Sequence, residues 1–316
     1  MFCPSLLLRI VSRTLIAFLL GFGTTRPHGI AAEAAAPATS TPTSLPSHEL
    51  HNLFKVAPSL YSGSSPDSDA AFAELKALGI TTVISVDGSK PDIEKARRLG
   101  LRYVHLPIGY DGISALRQAE LLHAARGATG SVYIHCHHGK HRGPAAAAVI
   151  CEGWAGWSSH VATQWLQSAG TSPDYAGLYR SVSGFRLPDP STLSTLPQPP
   201  EVAPTPPLVD AMVTIDSHVD YLKAAGTNGW KALSNHPDRT PGQEATLLWE
   251  QWRELARHLD TAKRPDAYRG LLTRAEKSSA ELAAILKMPE PDRARADASL
   301  RALSKTCTDC HKPYRN

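Results

Sequence analysis

Charge of either sign is not in excess: 33 Lys and Arg stand against 29 Asp and Glu, a formal net charge of +4, so no nucleic-acid partner is indicated. Long apolar runs are also missing. The stretch Leu15 to Phe22 falls well short of the ~20 residues of a membrane-spanning helix. Cysteine is scarce, five in 316 residues, so the one close pair, Cys307 and Cys310, has no second pair with which to complete a zinc cage. There are only three methionines, Met1, Met212 and Met288, which narrows any search for a thioether ligand.

What is present divides the chain. Residues 1–36 carry Arg9 and Arg13 ahead of the apolar stretch and end in Ala34, Ala35 and Ala36, a secretory signal pattern with an uncleaved anchor as the alternative. The expected location is the periplasm. Residues 37–47 form a low-complexity lead-in, and 187–207 are rich in Pro, Ser and Thr, which predicts a stiff, extended linker. Two domains remain, 48–186 and 208–316.

In the first, short apolar strands (Thr81 to Val86, Leu101 to Leu106, Ser131 to His135) alternate with helices (Asp67 to Leu78, Pro91 to Leu99, Ser114 to Ala125). That alternation predicts an α/β fold with a mainly parallel central sheet. The last strand runs into His135-Cys136-His137-His138-Gly139-Lys140-His141-Arg142, followed by an alanine-rich helix from Gly143 to Gly156. A loop between a strand end and a helix start turns successive N–H groups inward and adds the positive end of the helix dipole. Both stabilise a bound phosphate and a thiolate at Cys136, while Arg142 supplies a planar fork for two phosphate oxygens. Loop residues His137, His138, Gly139, Lys140, His141 and Arg142 are thus the expected phosphate cradle. A metal site built from His135, His137, His138 and His141 is disfavoured, because adjacent side chains in a tight loop splay apart.

The strand, the H-C-x5-R loop and the helix resemble the cysteine-dependent tyrosine and dual-specificity phosphatases over about Val56 to Arg186. The inner H-C-x-x-G-K-H-R is similar to the plant and fungal atypical dual-specificity enzymes, whose substrates include inositol pyrophosphates and phosphoproteins. The resemblance implies a phosphocysteine intermediate on Cys136 and a carboxylic acid upstream that protonates the leaving group. Asp111, in Pro107-Ile-Gly-Tyr-Asp111-Gly112, is the candidate acid, and Asp87 is the rival. The family usually has Ser or Thr after the arginine; Gly143 stands there instead, which bears on turnover. Cys151, in the following helix, reads as a buried core residue.

At the other end, Cys307-Thr308-Asp309-Cys310-His311 is the C-x-x-C-H pattern of covalent haem attachment, with thioethers to Cys307 and Cys310 and iron on His311. Around it the sequence predicts an all-α four-helix bundle: Leu208 to Ala225, Gln243 to Ala262, Asp266 to Lys287, and Asp292 to about His311, each with an apolar stripe. Four helices ending in C-x-x-C-H-x-x-Y-R resemble the cytochrome c-prime and c-556 family. That resemblance implies haem c as the cofactor, Met212 as the candidate distal ligand, Arg315 as a basic residue after the proximal histidine, a redox partner, and a homodimer through the bundle. No other metal is expected.

The expected function is a secreted phosphatase acting on a phosphorylated small molecule or phosphoprotein, fused to a haem domain. The alternatives are a catalytically impaired anion-binding domain in an electron-transfer or gas-sensing cytochrome, and a rhodanese-like sulfurtransferase using Cys136.

Overall fold

The computed structural model describes residues 41–315. The expected signal peptide and the first residues of the lead-in lie outside them. Among the described residues no helix is long and apolar enough to cross a membrane.

Among the described residues six strands form one sheet: β1 (Thr43–Ser44), β2 (Phe54–Ala57), β3 (Leu60–Gly63), β4 (Ile80–Ser85), β5 (Arg102–His105) and β6 (Ser131–His135), in the order β1-β2-β3-β6-β4-β5. Strands β3, β6, β4 and β5 pair in parallel; β1 and β2 add an antiparallel edge that the sequence reading did not anticipate. Because β1 pairs with β2, the sheet begins inside the stretch read as a lead-in.

Alternation along β6 sends Val132 and Ile134 into one core and Tyr133 into another, so helices cover both faces, as parallel sheets require. On one face lie α1 (Asp69–Ala77) and α2 (Ile93–Arg98), through Ala71, Phe72, Leu75 and Ala96. On the other lie α3 (Ala115–Arg126), α4 (Arg142–Trp154), α5 (Ser159–Ser168) and α6 (Ala176–Ser183). Helix α4 buries every residue from Gly143 to Cys151, and its four alanines let it lie close to the sheet. Helix α1 starts later than the Asp67 expected, because Ser68 accepts from Ala71 N and caps it there.

The Pro-rich linker is not an extended spacer. It contains α7 (Pro190–Thr195), capped by Asp189, whose Oδ1 accepts from Ser191 N at 2.8 Å; Leu193 is buried with Ala119 and Leu122. Farther on, His105 N donates to Pro200 O at 2.9 Å, and Ala203 N bonds His105 Nδ1 at 3.1 Å. The segment thus runs along the free edge of β5, satisfying donors that a spacer would have left to water.

The remaining helices are α8 (Pro207–Thr227), α9 (Pro241–Arg257), α10 (Leu259–Ala262), α11 (Asp266–Leu286) and α12 (Arg293–Tyr314). The four long ones share a core containing Leu222, Leu248, Leu282 and Leu303; each packs on the next and α12 closes back on α8. The helix expected to run unbroken from Gln243 to Ala262 stops at His258, whose backbone is extended and whose Nδ1 accepts from Asp260 N to cap α10. Helix α12 continues past His311 with Pro313 in its last turn.

One half-buried group opposes the fold at high pH. Glu152, on α4, has an Oε2 that is buried without a hydrogen-bond partner, and burial pushes its carboxyl up to about 8 from 4.5. A raised carboxyl binds its proton more tightly when folded, so stability is full below pH 4.5 and declines as pH rises toward 8. Glu152→Gln should therefore stabilise the protein at pH 8 by about 1 to 2 kcal/mol, allowing for solvent screening, and flatten this part of the pH dependence in urea titrations.

Candidate active site

Strand β6 delivers Cys136 at its carboxyl end, between β3 and β4 and at the foot of α4. This is where open parallel sheets hold ligands. Cys136 is 3% exposed and packs in the core beneath the loop.

The curl of the loop is held from three sides. Gly139 has φ +68°, and a Cβ there would lie 2.3 Å from the Gly63 carbonyl carbon, so only glycine fits against the end of β3. Asn52 Nδ2 donates to Gly139 O and to Ala169 O, both at 2.9 Å. Ser65 N donates to His137 O at 3.0 Å, and Thr171 Oγ1 donates to Lys140 O at 2.7 Å. These bonds engage carbonyls on the outside of the loop. His135 is buried against Tyr103, whose hydroxyl lies 2.6 Å from its Nε2, and burial pushes its imidazole down to about 4.

Arg142 opens α4 and is pinned by Asp87, with Nη2 to Oδ1 at 2.8 Å and both side chains nearly buried. Burial alone would push the Asp87 carboxyl up, but the Arg142 guanidinium, with His137 and His135 nearby, holds it below the ordinary carboxylate value. Burial would likewise lower Arg142, and Asp87, Tyr110 and Cys136 outweigh it, so the guanidinium stays charged. Its Nε is buried with no hydrogen-bond partner, which leaves a donor for an anion. Asp87 thus orients Arg142.

Asp111 lies on the exposed connection between β5 and α3. Its carbonyl packs against α6 so closely that a Cβ at Gly177 would lie 2.0 Å away. The residue before it, Tyr110, lays its ring 4.7 Å from the Arg142 guanidinium, which brings the Asp111 loop over the same site.

Helical residues complete the surroundings. Arg315 stacks on Tyr110 at 3.9 Å and donates to the hydroxyls of Tyr110 and Tyr175, each at 2.8 Å. Arg315 thus joins the end of α12 to the Asp111 loop. Burial, with Arg315 and Arg142 nearby, pushes His141 down to about 4, so this imidazole adds no positive charge at the rim. Helix α8 lies against the loop's other side, where His137 Nε2 meets Asp220 Oδ2 at 3.2 Å. His137 and His138 do not splay apart as expected: their ring centroids are 4.2 Å apart. Cys151 is buried in the core, as expected.

At the other end, Cys307, Cys310, Met212, Leu300 and Tyr314 all pack at the edge of the bundle core. Cys307 and Cys310 are free thiols, three residues apart on one face of α12, and burial raises both, Cys307 to about 11. Burial, then Arg315, lowers His311 to about 4.

The sequence reading missed Asn52, Tyr110, Thr171 and Tyr175, and the pairing of Asp87 with Arg142. These residues carry no motif; Asn52, a residue type that favours turns and takes a positive φ here, is the one a turn signal could have found.

No protein-family model matches this chain, and no curated protein matches it. Among solved structures it is similar to TpbA of P. aeruginosa, with 24% identity, 45% of this chain and 89% of that one covered, and a TM-score of 0.41. It is similar also to a putative phosphatase (DUF442) from Shewanella putrefaciens CN-32, with 22% identity, coverages of 43% and 90%, and a TM-score of 0.35. A third is the core catalytic domain of the PP-IP phosphatase SIW14 from S. cerevisiae, with 16% identity, coverages of 44% and 86%, and a TM-score of 0.38.

Removing one partner of the Arg142 and Asp87 pair leaves the other charge buried and uncompensated. Asp87→Asn should destabilise the protein by about 3 kcal/mol in guanidinium titrations. A change under about 1 kcal/mol would show that Arg142 finds another partner.

Proposed function

We propose that the chain is a cysteine-dependent phosphatase of the C-x5-R kind, secreted to the periplasm and carrying a covalent haem c on its helical part. The observation that supports the phosphatase reading best is Arg142: a buried, charged guanidinium fixed by Asp87, with Nε free of partners, six residues after Cys136 on one strand-loop-helix unit.

In this reading a phosphoryl group sits in the loop, its oxygens held by loop N–H groups, the first turn of α4 and Arg142. The Cys136 thiolate attacks phosphorus as the bond to the leaving oxygen breaks, and Asp111 gives its proton to that oxygen. Asp87, held as a carboxylate by Arg142, is the poorer donor. Water then attacks the phosphocysteine; its proton returns to Asp111 and the thiolate departs.

Gly143 bears on this second step. Its Cα faces the Cys136 backbone, where a Cβ would lie 3.2 Å from Cys136 N, so no hydroxyl from that position assists the departing sulfur. Hydrolysis of the intermediate is accordingly the slow step, and the substrates are phosphomonoesters or polyphosphates, free or on protein.

The residues of the helical part fit a haem by their donor set. Two free thiols share a face of α12, and no hydrogen bond among the described residues engages the neighbouring imidazole of His311. Cys307 and Cys310 would carry the thioethers, His311 the iron, and Met212 would face it from α8. When bound, haem supplies one-electron or gas-binding chemistry. Leu300 and Tyr314, which pack against the same bundle core as the two thiols, would shield it from water.

Two outcomes are expected. The full chain releases the phenol from an aryl phosphate, with an initial burst followed by slower turnover, and Cys136→Ser reduces the rate by at least about 10³-fold. Equal rates for the two proteins would exclude Cys136 as nucleophile. Expressed with a haem-attachment system, the chain retains haem after denaturation, and Cys307→Ser with Cys310→Ser abolishes that retention; haem lost on denaturation of the unaltered chain would exclude thioether attachment.

A further inference from the structure

We propose that His137, His138, Asp216 and Asp220 form a binding site for a divalent transition-metal ion, with zinc as the reference ion, joining the phosphate loop to α8. One donor atom from each of the four residues lies within 4.8 Å of every other. His137 Nε2 stands 3.2 Å from Asp220 Oδ2 and 3.9 Å from Asp216 Oδ2. The two aspartates are four residues apart on α8, so they stand one turn apart on a single face, and the loop brings two imidazoles to that face.

The donor set selects the ion. Two imidazole nitrogens and two carboxylate oxygens suit zinc and its divalent neighbours, whereas calcium and magnesium favour oxygen alone. Tetrahedral donors at ~2.1 Å from zinc stand ~3.4 Å apart, so with all four atoms within 4.8 Å of one another closure asks for a contraction of no more than about 1.4 Å along any edge. His138 and Asp216 are exposed and free to rotate that far.

Supports around the donors hold the other two. Lys223 Nζ takes Asp220 Oδ1 at 3.0 Å, leaving Oδ2 directed at His137, and Ser65 N fixes the His137 carbonyl at 3.0 Å. An ion pair between His137 and Asp220 would need neither His138 nor Asp216, yet all four converge. This set differs from the four loop histidines weighed in the sequence: His135 is buried against Tyr103, and His141 packs on Tyr175. A cation here would sit on the outer wall of the anion-binding loop and fasten the helical part to it.

Calorimetry with zinc on the chelator-stripped full chain, with Asp216→Asn and His138→Gln as variants, tests the site independently of any phosphatase activity. We expect one equivalent bound that each variant weakens by more than the ~10 to 100-fold that losing a ligand's own hydrogen-bond partner costs. Cobalt should give tetrahedral visible bands without thiolate charge transfer, which separates this site from Cys307 and Cys310. Absence of binding, affinity unchanged in both variants, or a cobalt spectrum of thiolate type alone would overturn the proposal. Circular dichroism of both variants, each altered at an exposed position, checks that loss of binding is not loss of fold.

Discussion

The constraint on which the site depends is the burial of a guanidinium. Arg142 is nearly removed from solvent, and a charge so placed persists only if another charge or a ligand compensates it. Asp87 takes one Nη, which fixes the side chain and leaves the buried Nε without a partner, and the loop that ends at Arg142 has carbonyls engaged by Asn52, Ser65 and Thr171. In the proposed function, a cation and loop N–H groups arranged before any ligand arrives would make this loop an anion site, since no reorganisation would be left to be done when charge develops.

The strand order explains how residues far apart in sequence meet there. Placing β6 between β3 and β4 brings the end of β3, with Gly63 and Ser64, against Gly139, and brings the residues after β4, with Asp87, against Arg142. The Asp111 loop reaches the site through the stacking of Tyr110 on Arg142, and the end of α12 reaches that same ring through Arg315. Helical and α/β parts therefore touch at the loop itself. Exposed pairs such as Lys90 with Asp210 add little to that contact by themselves. The cluster of His137, His138, Asp216 and Asp220 adds a site where a bound ion would fasten the two parts.

What could be read from sequence was what is local. Strand β6, the loop and α4 appeared nearly in register because a short apolar run, a Gly and an alanine-rich run lie within about 25 consecutive residues. The long helices showed for the same reason. The partners of the loop did not: Asp87 lies 55 residues from Arg142, Asp220 lies 83 from His137, and Asn52 lies 87 from Gly139. Their meeting is fixed by strand order, which no local pattern carries. The linker was misread because its proline content suggests stiffness, while its packing rests on one buried leucine, Leu193, and on two bonds to His105.

The most direct measurement of the central claim is mass spectrometry of the full chain quenched in acid during turnover of an aryl phosphate. A phosphate adduct on the peptide containing Cys136, accumulating because Gly143 gives no help to its hydrolysis, is the predicted result. An unmodified Cys136 peptide while phenol is being released, or an adduct on another residue, would contradict it.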